Sequence, residues 1–363
     1  MYKLFSVDDH IVEPPGVWVD RVPAAYKDRV PHVIEADGRQ MWVWEGGMEM
    51  TMGLNAVAGK PREQWGAEPA RFEDMIPGCY DPHQRRKDFL SNGVFASVAF
   101  PTLPGFAGRK FGTFEDKDLA LVCVRAWNDF ILDEWCPVAP EMYVPMTIAP
   151  VWDAQLATEE TARCIEKGSK ALCWMEDPAN IGLPGYHTDY WHPLFAVCQD
   201  ADIPVCMHIG GALPRVTLDG TIPMVEIAAA FAHAARSATN MMVSPIPRKF
   251  PRIKLVWSEG GIGWITAALE RADRQWDRHQ RLARYLLIQD QLFRLRGLQV
   301  PGEAGQLVRA PDRQAQRDAD LVGQSLVPLV GQIAVHWLVA AGAGAGATAD
   351  QLPHHPELAR RHP

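Results

Sequence analysis

The stretch Pro204-Val205-Cys206-Met207-His208-Ile209-Gly210-Gly211 decides how the rest of the chain is read. A short apolar run carries a histidine at its end. Two glycines follow and let backbone or ligand come close. A continuous apolar run of this length marks a strand buried on both faces, as in a parallel sheet. The C-terminal ends of parallel strands are where such folds keep their chemistry.

The same pattern repeats in both directions. Residues 4–12, 94–100, 143–150, 170–175 and 253–257 are strand-like, and residues 204–209 are the fifth of six. Helical spacing predicts helices over 115–135, 158–167, 190–200, 224–238 and 265–279. Strands alternating with helices predict a parallel α/β architecture, either a (β/α)8 TIM barrel or a doubly wound sheet. A dinucleotide fingerprint would favour the doubly wound sheet. Gly105, Gly108 and Gly112 have the wrong spacing for it, and none follows the first strand.

The chain has 363 residues, 47% hydrophobic and 22% charged, which is globular composition with length for a large core. A net charge of −8 without a basic block argues against nucleic acid as partner. Residues 1–9 do not read as a signal peptide. The seven cysteines form no C-x-x-C pair and read as reduced thiols, so a cytoplasmic location is expected. Residues 327–347 are largely apolar, but Gln332 and His336 interrupt them, and no membrane span is expected.

Two regions break the rhythm. Residues 13–80, dense in Pro, Gly, Trp and Met, read as a loop-rich insertion covering a site or an oligomer contact. Trp42, Trp44 and the methionines at 41, 48, 50 and 52 are expected in core packing or a subunit contact rather than in chemistry. After about residue 280 the composition shifts: the last 83 residues hold nine Gln, against seven in the first 280, and no Lys or Asn. We therefore divide the chain at 1–280 and 281–363. The second part reads as a GC-rich gene translated in a shifted frame, a reading that the gene's other two frames would test.

Asp8 and His10 lie two apart on the first strand and share one of its faces, while Asp9 points the other way. With His208 they offer a carboxylate and two imidazoles, a donor set that suits zinc, manganese or iron. Glu259 ends the sixth strand in Ser258-Glu259-Gly260-Gly261, placed either as a general base or as a cap for the following helix. His187 and His192 read as packing and capping residues. His279 reads as part of a solvated face, and Cys206 lacks a nucleophile's partners.

Four segments together resemble the amidohydrolase-related (amidohydrolase 2) family, which includes aminocarboxymuconate-semialdehyde decarboxylase. They are Ser6-Val7-Asp8-Asp9-His10, Tyr80-Asp81-Pro82 with Gly93-Val94, residues 204–211, and Phe250-Pro251 leading to Ser258-Glu259-Gly260-Gly261-Ile262-Gly263-Trp264. The helical segment 269–273 adds to the likeness. The resemblance implies a (β/α)8 barrel with one divalent metal, zinc or manganese, held by Asp8, His10 and His208. Glu259 would stand where many members carry a catalytic histidine. It also implies a small-molecule substrate, a decarboxylating or hydrolysing reaction, and room for a homodimer. The chain departs at the eighth strand, where members carry an Asp. Asp312, Asp318, Asp320 and Asp350 do not follow an apolar strand and cannot be carried over. That departure favours the rival reading, a non-catalytic barrel scaffold with a decayed metal site.

Overall fold

The computed structural model describes residues 4–49, 61–64, 71–210 and 228–275, with residues 225 and 278 as isolated positions. Six parallel staves run in chain order. The first two are β1 (Leu4–Ile11) and β5 (Val94–Pro101). The third is split by Pro145 into β6 (Tyr143–Val144) and β7 (Met146–Ile148), because proline has no N–H to give the ladder. The last three are β8 (Ala171–Trp174), β9 (Pro204–His208) and β10 (Lys254–Ser258). Their pairing is β1-β5-β6 and β7-β8-β9-β10, parallel throughout. Every residue of β8 and β7 is buried, which is why β8 reads as an unbroken apolar run rather than an alternating one.

Helices return the chain between staves. α1 (Pro82–Asn92) explains the Tyr80-Asp81-Pro82 and Gly93-Val94 segments. The Asp81 carboxylate accepts from His83 N and Gln84 N, proline fills the first helical position, and Gly93 closes the helix at φ 72°. After the single turn α2 (Arg109–Gly112), α3 (Lys117–Phe130) starts on Asp116, which accepts from Asp118 N and Leu119 N. It buries Leu119, Cys123 and Trp127 at four-residue spacing and runs on into a π-helical turn, Ile131–Trp135. α4 (Ala154–Glu166) begins four residues earlier than its apolar spacing predicts, because Asp153 caps it by accepting from Leu156 N. α5 (His192–Asp200) matches expectation. α6 (Phe231–Val243) overlaps the predicted 224–238 and runs five residues beyond it, and residues 225, 228 and 229 are also helical. Residues from 265 to 275 are helical, as expected.

The loop-rich reading of 13–80 needs correction. It holds a three-stranded antiparallel sheet of β2 (His32–Ala36), β3 (Arg39–Trp44) and β4 (Gly47–Glu49). Asp37 and Gly38 link the first pair in a two-residue turn with both φ positive, at 53° and 71°, the geometry that matches strand twist. Trp42 is buried, edge-on to Trp18 and Phe72, so it belongs to the core as expected.

All seven cysteines are free and buried. No helix among the described residues is long and apolar enough to cross a membrane. No closed barrel forms among the described residues. However, the sixth stave leans on the first: Ser258 Oγ donates to Val7 O at 3.2 Å. Gly211, His279, Met50, Met52, residues 281–363 with their aspartates, and the apolar run 327–347 lie outside the described residues.

Candidate metal centre

All six staves run the same way, so their C-terminal ends gather on one side. β1 brings Asp8 and His10, β9 ends on His208, and Glu259 follows β10. The register of β1 against β5 slips between Ser6 and Asp9, a bulge next to Asp8. Asp9, on the opposite face, accepts from Arg85 Nη1 at 3.1 Å and from Ser97 Oγ at 2.8 Å. Arg85 is buried and also donates to the carbonyls of His10, Cys79 and Gly78. One arginine of α1 therefore pins the strand that carries both candidate ligands.

Asp8, His10 and His208 each place a ligand atom within 4.8 Å of the others. His208 Nε2 lies 3.3 Å from Asp8 Oδ1, and His10 Nε2 lies 4.0 Å from that same oxygen. A tetrahedral ion with ligands at about 2.1 Å would separate them by about 3.4 Å. The hydrogen bonding fits such an ion. His208 is 1% exposed, and its Nδ1 faces the Ile209 carbonyl at 2.8 Å, so that nitrogen carries the proton. Its Nε2 and Asp8 Oδ1 are buried without a hydrogen-bond partner. Nε2 faces two carboxylate oxygens, Asp8 Oδ1 and Glu259 Oε2, a geometry that serves an ion pair when His208 is protonated and could hold a metal when it is not.

The two imidazoles are driven apart electrostatically. Burial, reinforced by the nearby His208, holds His10 below the ordinary histidine range. Burial also opposes charge on His208, but the Asp8 carboxylate, the Ile209 carbonyl and Glu259 outweigh it and raise its pKa. Glu259 Oε2 stands 3.6 Å from His208 Nε2. Its side chain is 59% exposed and its backbone is left-handed, at φ 61°. Non-glycine residues adopt that region at a cost of roughly 1–2 kcal/mol. Ser258 gives its hydroxyl to Val7, and Glu259 turns toward His208.

Aromatic rings close the centre. Phe106 stacks on His208 with centroids 3.7 Å apart and planes at 12°, and Phe100 meets it edge-on at 4.9 Å. Sequence reasoning missed Phe106, Arg85 and Glu13. His187 instead bonds Asn240 and His192 packs on Phe250, and neither joins the ligand group.

A family model described as Amidohydrolase (Amidohydro_2) matches residues 81–288, more than half of the chain. The chain belongs to this amidohydrolase family. The match includes His208 and Glu259, and the fold adds Asp8 and His10 from the first stave. An amidohydrolase from Mycobacterium avium subsp. paratuberculosis is similar in structure at a TM-score of 0.60 and 16% identity, covering 77% of this chain and 79% of that one. The family's enzymes are TIM barrels, and the six staves here are the parallel α/β part of that fold. Two further structures are similar at lower scores. A dihydroxybenzoic acid decarboxylase from Polaromonas with bound manganese and 2-nitroresorcinol has a TM-score of 0.47 and 16% identity, over 75% and 70% of the two chains. A 5-carboxyvanillate decarboxylase from Novosphingobium aromaticivorans, complexed with manganese, has a TM-score of 0.47 and 18% identity, over 78% and 72%. No curated protein matches the chain.

Proposed function

We propose that this amidohydrolase is a metal-dependent carboxy-lyase acting on a small unsaturated or aromatic carboxylic acid. The observation that carries the reading is the convergence of Asp8, His10 and His208, whose ligand atoms lie within 4.8 Å of one another. Asp8, His10 and His208 would hold one divalent ion, zinc or manganese by donor chemistry. When bound, it supplies Lewis acidity toward a substrate oxygen.

The chain's own residues do the rest. Neutral His10 is ready to ligate without first losing a proton. Glu259 is close enough to the ligand group to reach a bound substrate and exposed enough to exchange protons with solvent. A proton taken up from solvent passes through the Glu259 carboxyl to the substrate carbon as the bond to the carboxylate breaks and carbon dioxide leaves, so each turnover consumes one solvent proton. Phe100 and Phe106 wall the site with apolar surface.

Elemental analysis of the purified protein beside His208→Ala tests the reading, together with carbon dioxide release from a panel of aromatic and unsaturated carboxylic acids. Near one divalent ion per chain, lost in the variant, and release from one substrate class support it. A metal-free soluble protein overturns it and leaves the inert scaffold. Bound metal with turnover only of amides, esters or lactones makes the chain a hydrolase.

A further inference from the structure

We infer that Phe106 is a positioning residue for His208: its ring fixes the imidazole plane, and a loop anchored on Glu13 holds it there. The inference rests on the metal reading of Asp8, His10 and His208.

Residues 102–108 follow β5 and have an unusual backbone. Gly105, Ala107 and Gly108 all have positive φ, at 68°, 62° and 71°. Ala107 is fully buried, and a side chain at Gly108 would put its Cβ 2.9 Å from Ile148 Cδ1. A loop this far from common backbone regions persists only where its surroundings over-determine it. Glu13, 1% exposed, does so at the near end. Its Oε1 accepts from Thr102 N at 2.9 Å and from Trp127 Nε1 at 3.1 Å, while its Oε2 accepts from Leu103 N at 2.9 Å. At the far end Ala107 N donates to Cys173 Sγ at 3.3 Å. Between the anchors lies Phe106, flat on His208.

The stack supplies a constraint that the hydrogen bond to Ile209 lacks. The hydrogen bond at Nδ1 fixes one end of the imidazole, and Phe100 and His10 meet it only edge-on, at 4.9 and 5.1 Å. A ring parallel to it at 3.7 Å holds its plane and keeps Nε2 aimed at Asp8. Groups that orient a ligand from outside the metal's own shell typically contribute 10–100-fold to metal affinity.

The test compares Mn2+ affinity, by chelator competition, in wild type, Phe106→Leu and Phe106→Tyr. The His208 ring-proton shifts and the heat stability of the metal-free forms are measured alongside. Leucine fills the space without a stacking face, and tyrosine restores the face. The expected result is Mn2+ binding about tenfold or more weaker in Phe106→Leu and retained in Phe106→Tyr. The ring protons of His208 should move downfield only in the leucine variant, with unfolding temperatures little changed. Glu13→Gln, which turns an N–H donor toward an N–H, should weaken binding in the same direction. Equal Mn2+ affinity in wild type and Phe106→Leu overturns the inference and leaves the metal reading intact. Loss in both Phe106 variants also overturns it, since the ring face would not be what matters. Wild-type protein that binds no Mn2+ overturns the metal reading and this inference with it.

Discussion

His208 Nε2 lies 3.3 Å from Asp8 Oδ1, although 200 residues of chain separate them. Neither atom has a hydrogen-bond partner, and His208 is buried. They face each other at ion-pair distance, and a divalent ion between them would take a lone pair from each. Replacing Asp8 by Ala should lower affinity for Zn2+ and Mn2+ by more than the roughly 100-fold that outer-shell changes produce. Isothermal titration with each metal checks this. Unchanged affinity would remove Asp8 from the ligand set.

The raised pKa of His208 sets a pH dependence. A metal ligand must be deprotonated, so protons compete with the ion. With its folded pKa above the ordinary 6.5, His208 keeps its proton to higher pH than a free histidine does. Metal affinity should therefore begin to fall above pH 6.5 as the solution is acidified, by up to about tenfold per pH unit once one proton must be displaced. His10, held below the ordinary value, should add its own competition only at lower pH. Mn2+ titrations between pH 5.5 and 8 give the curve. A flat response would mean that His208 does not ligate.

Glu259 separates chemistry from binding. It faces His208 Nε2 at 3.6 Å but stands outside the tight three-ligand group. Glu259→Gln keeps the shape and removes the proton-carrying group. Turnover should fall by roughly 10²–10⁴-fold, the usual contribution of an acid–base residue, with metal content unchanged. If metal is lost with turnover, Glu259 belongs to the ligand shell and the proton carrier must be sought elsewhere.

What could be read from the sequence followed the range of the interactions. The apolar runs of β8 and β9 are legible because a buried parallel strand needs no partner to look like one. Asp8 and His10 are legible because a two-residue period puts them on one face. Phe106 is not legible, since its place depends on positive φ at Gly105, Ala107 and Gly108 and on Glu13, about 90 residues away in sequence. Arg85 reads as an ordinary charged residue of a helix until β1 lies beside it. The β2–β3 hairpin was legible in principle, for Asp37-Gly38 between strand-like runs is a strong turn signal, but the surrounding Pro- and Gly-rich composition obscures it.

Arg85 should matter to the site without touching it. It joins Asp9 to the carbonyls of His10, Cys79 and Gly78 and packs over Trp135. Replacing it with Met keeps part of the packing but leaves the Asp9 carboxylate without its charge partner. Breaking such a pair from one side typically costs about 3–5 kcal/mol, and the 21% exposure of Asp9 places this case at or below the lower end. Urea unfolding should show the loss, accompanied by weaker metal binding as the bulge next to Asp8 relaxes. Full stability in Arg85→Met would show that the first strand is held in place without the arginine.

Glu160 tests the acid sensitivity of the scaffold. It is buried between Arg163, Arg125 and Asn128, accepting at 2.7 Å from Arg163 Nη2 and at 2.8 Å from Asn128 Nδ2. Asn128 in turn bonds both the N–H and the carbonyl of Ile148, standing in for a strand partner of β7. Burial alone would raise the Glu160 pKa, but the hydrogen bonds from Arg163 and Asn128 outweigh it and hold the group below the usual 4.5. A depressed folded pKa means that the stabilisation is complete above the unfolded value and is lost as pH falls through the folded one. The metal-free protein should therefore lose stability below about pH 4.5, while Glu160→Gln, which cannot titrate, should lose less over that range. At neutral pH Glu160→Ala should cost about 3 kcal/mol, because Asn128 and two guanidinium groups lose their acceptor together. Chemical denaturation at pH 7 and pH 4 measures both effects. An equal drop with acid in wild type and Glu160→Gln would assign the acid sensitivity to other carboxylates.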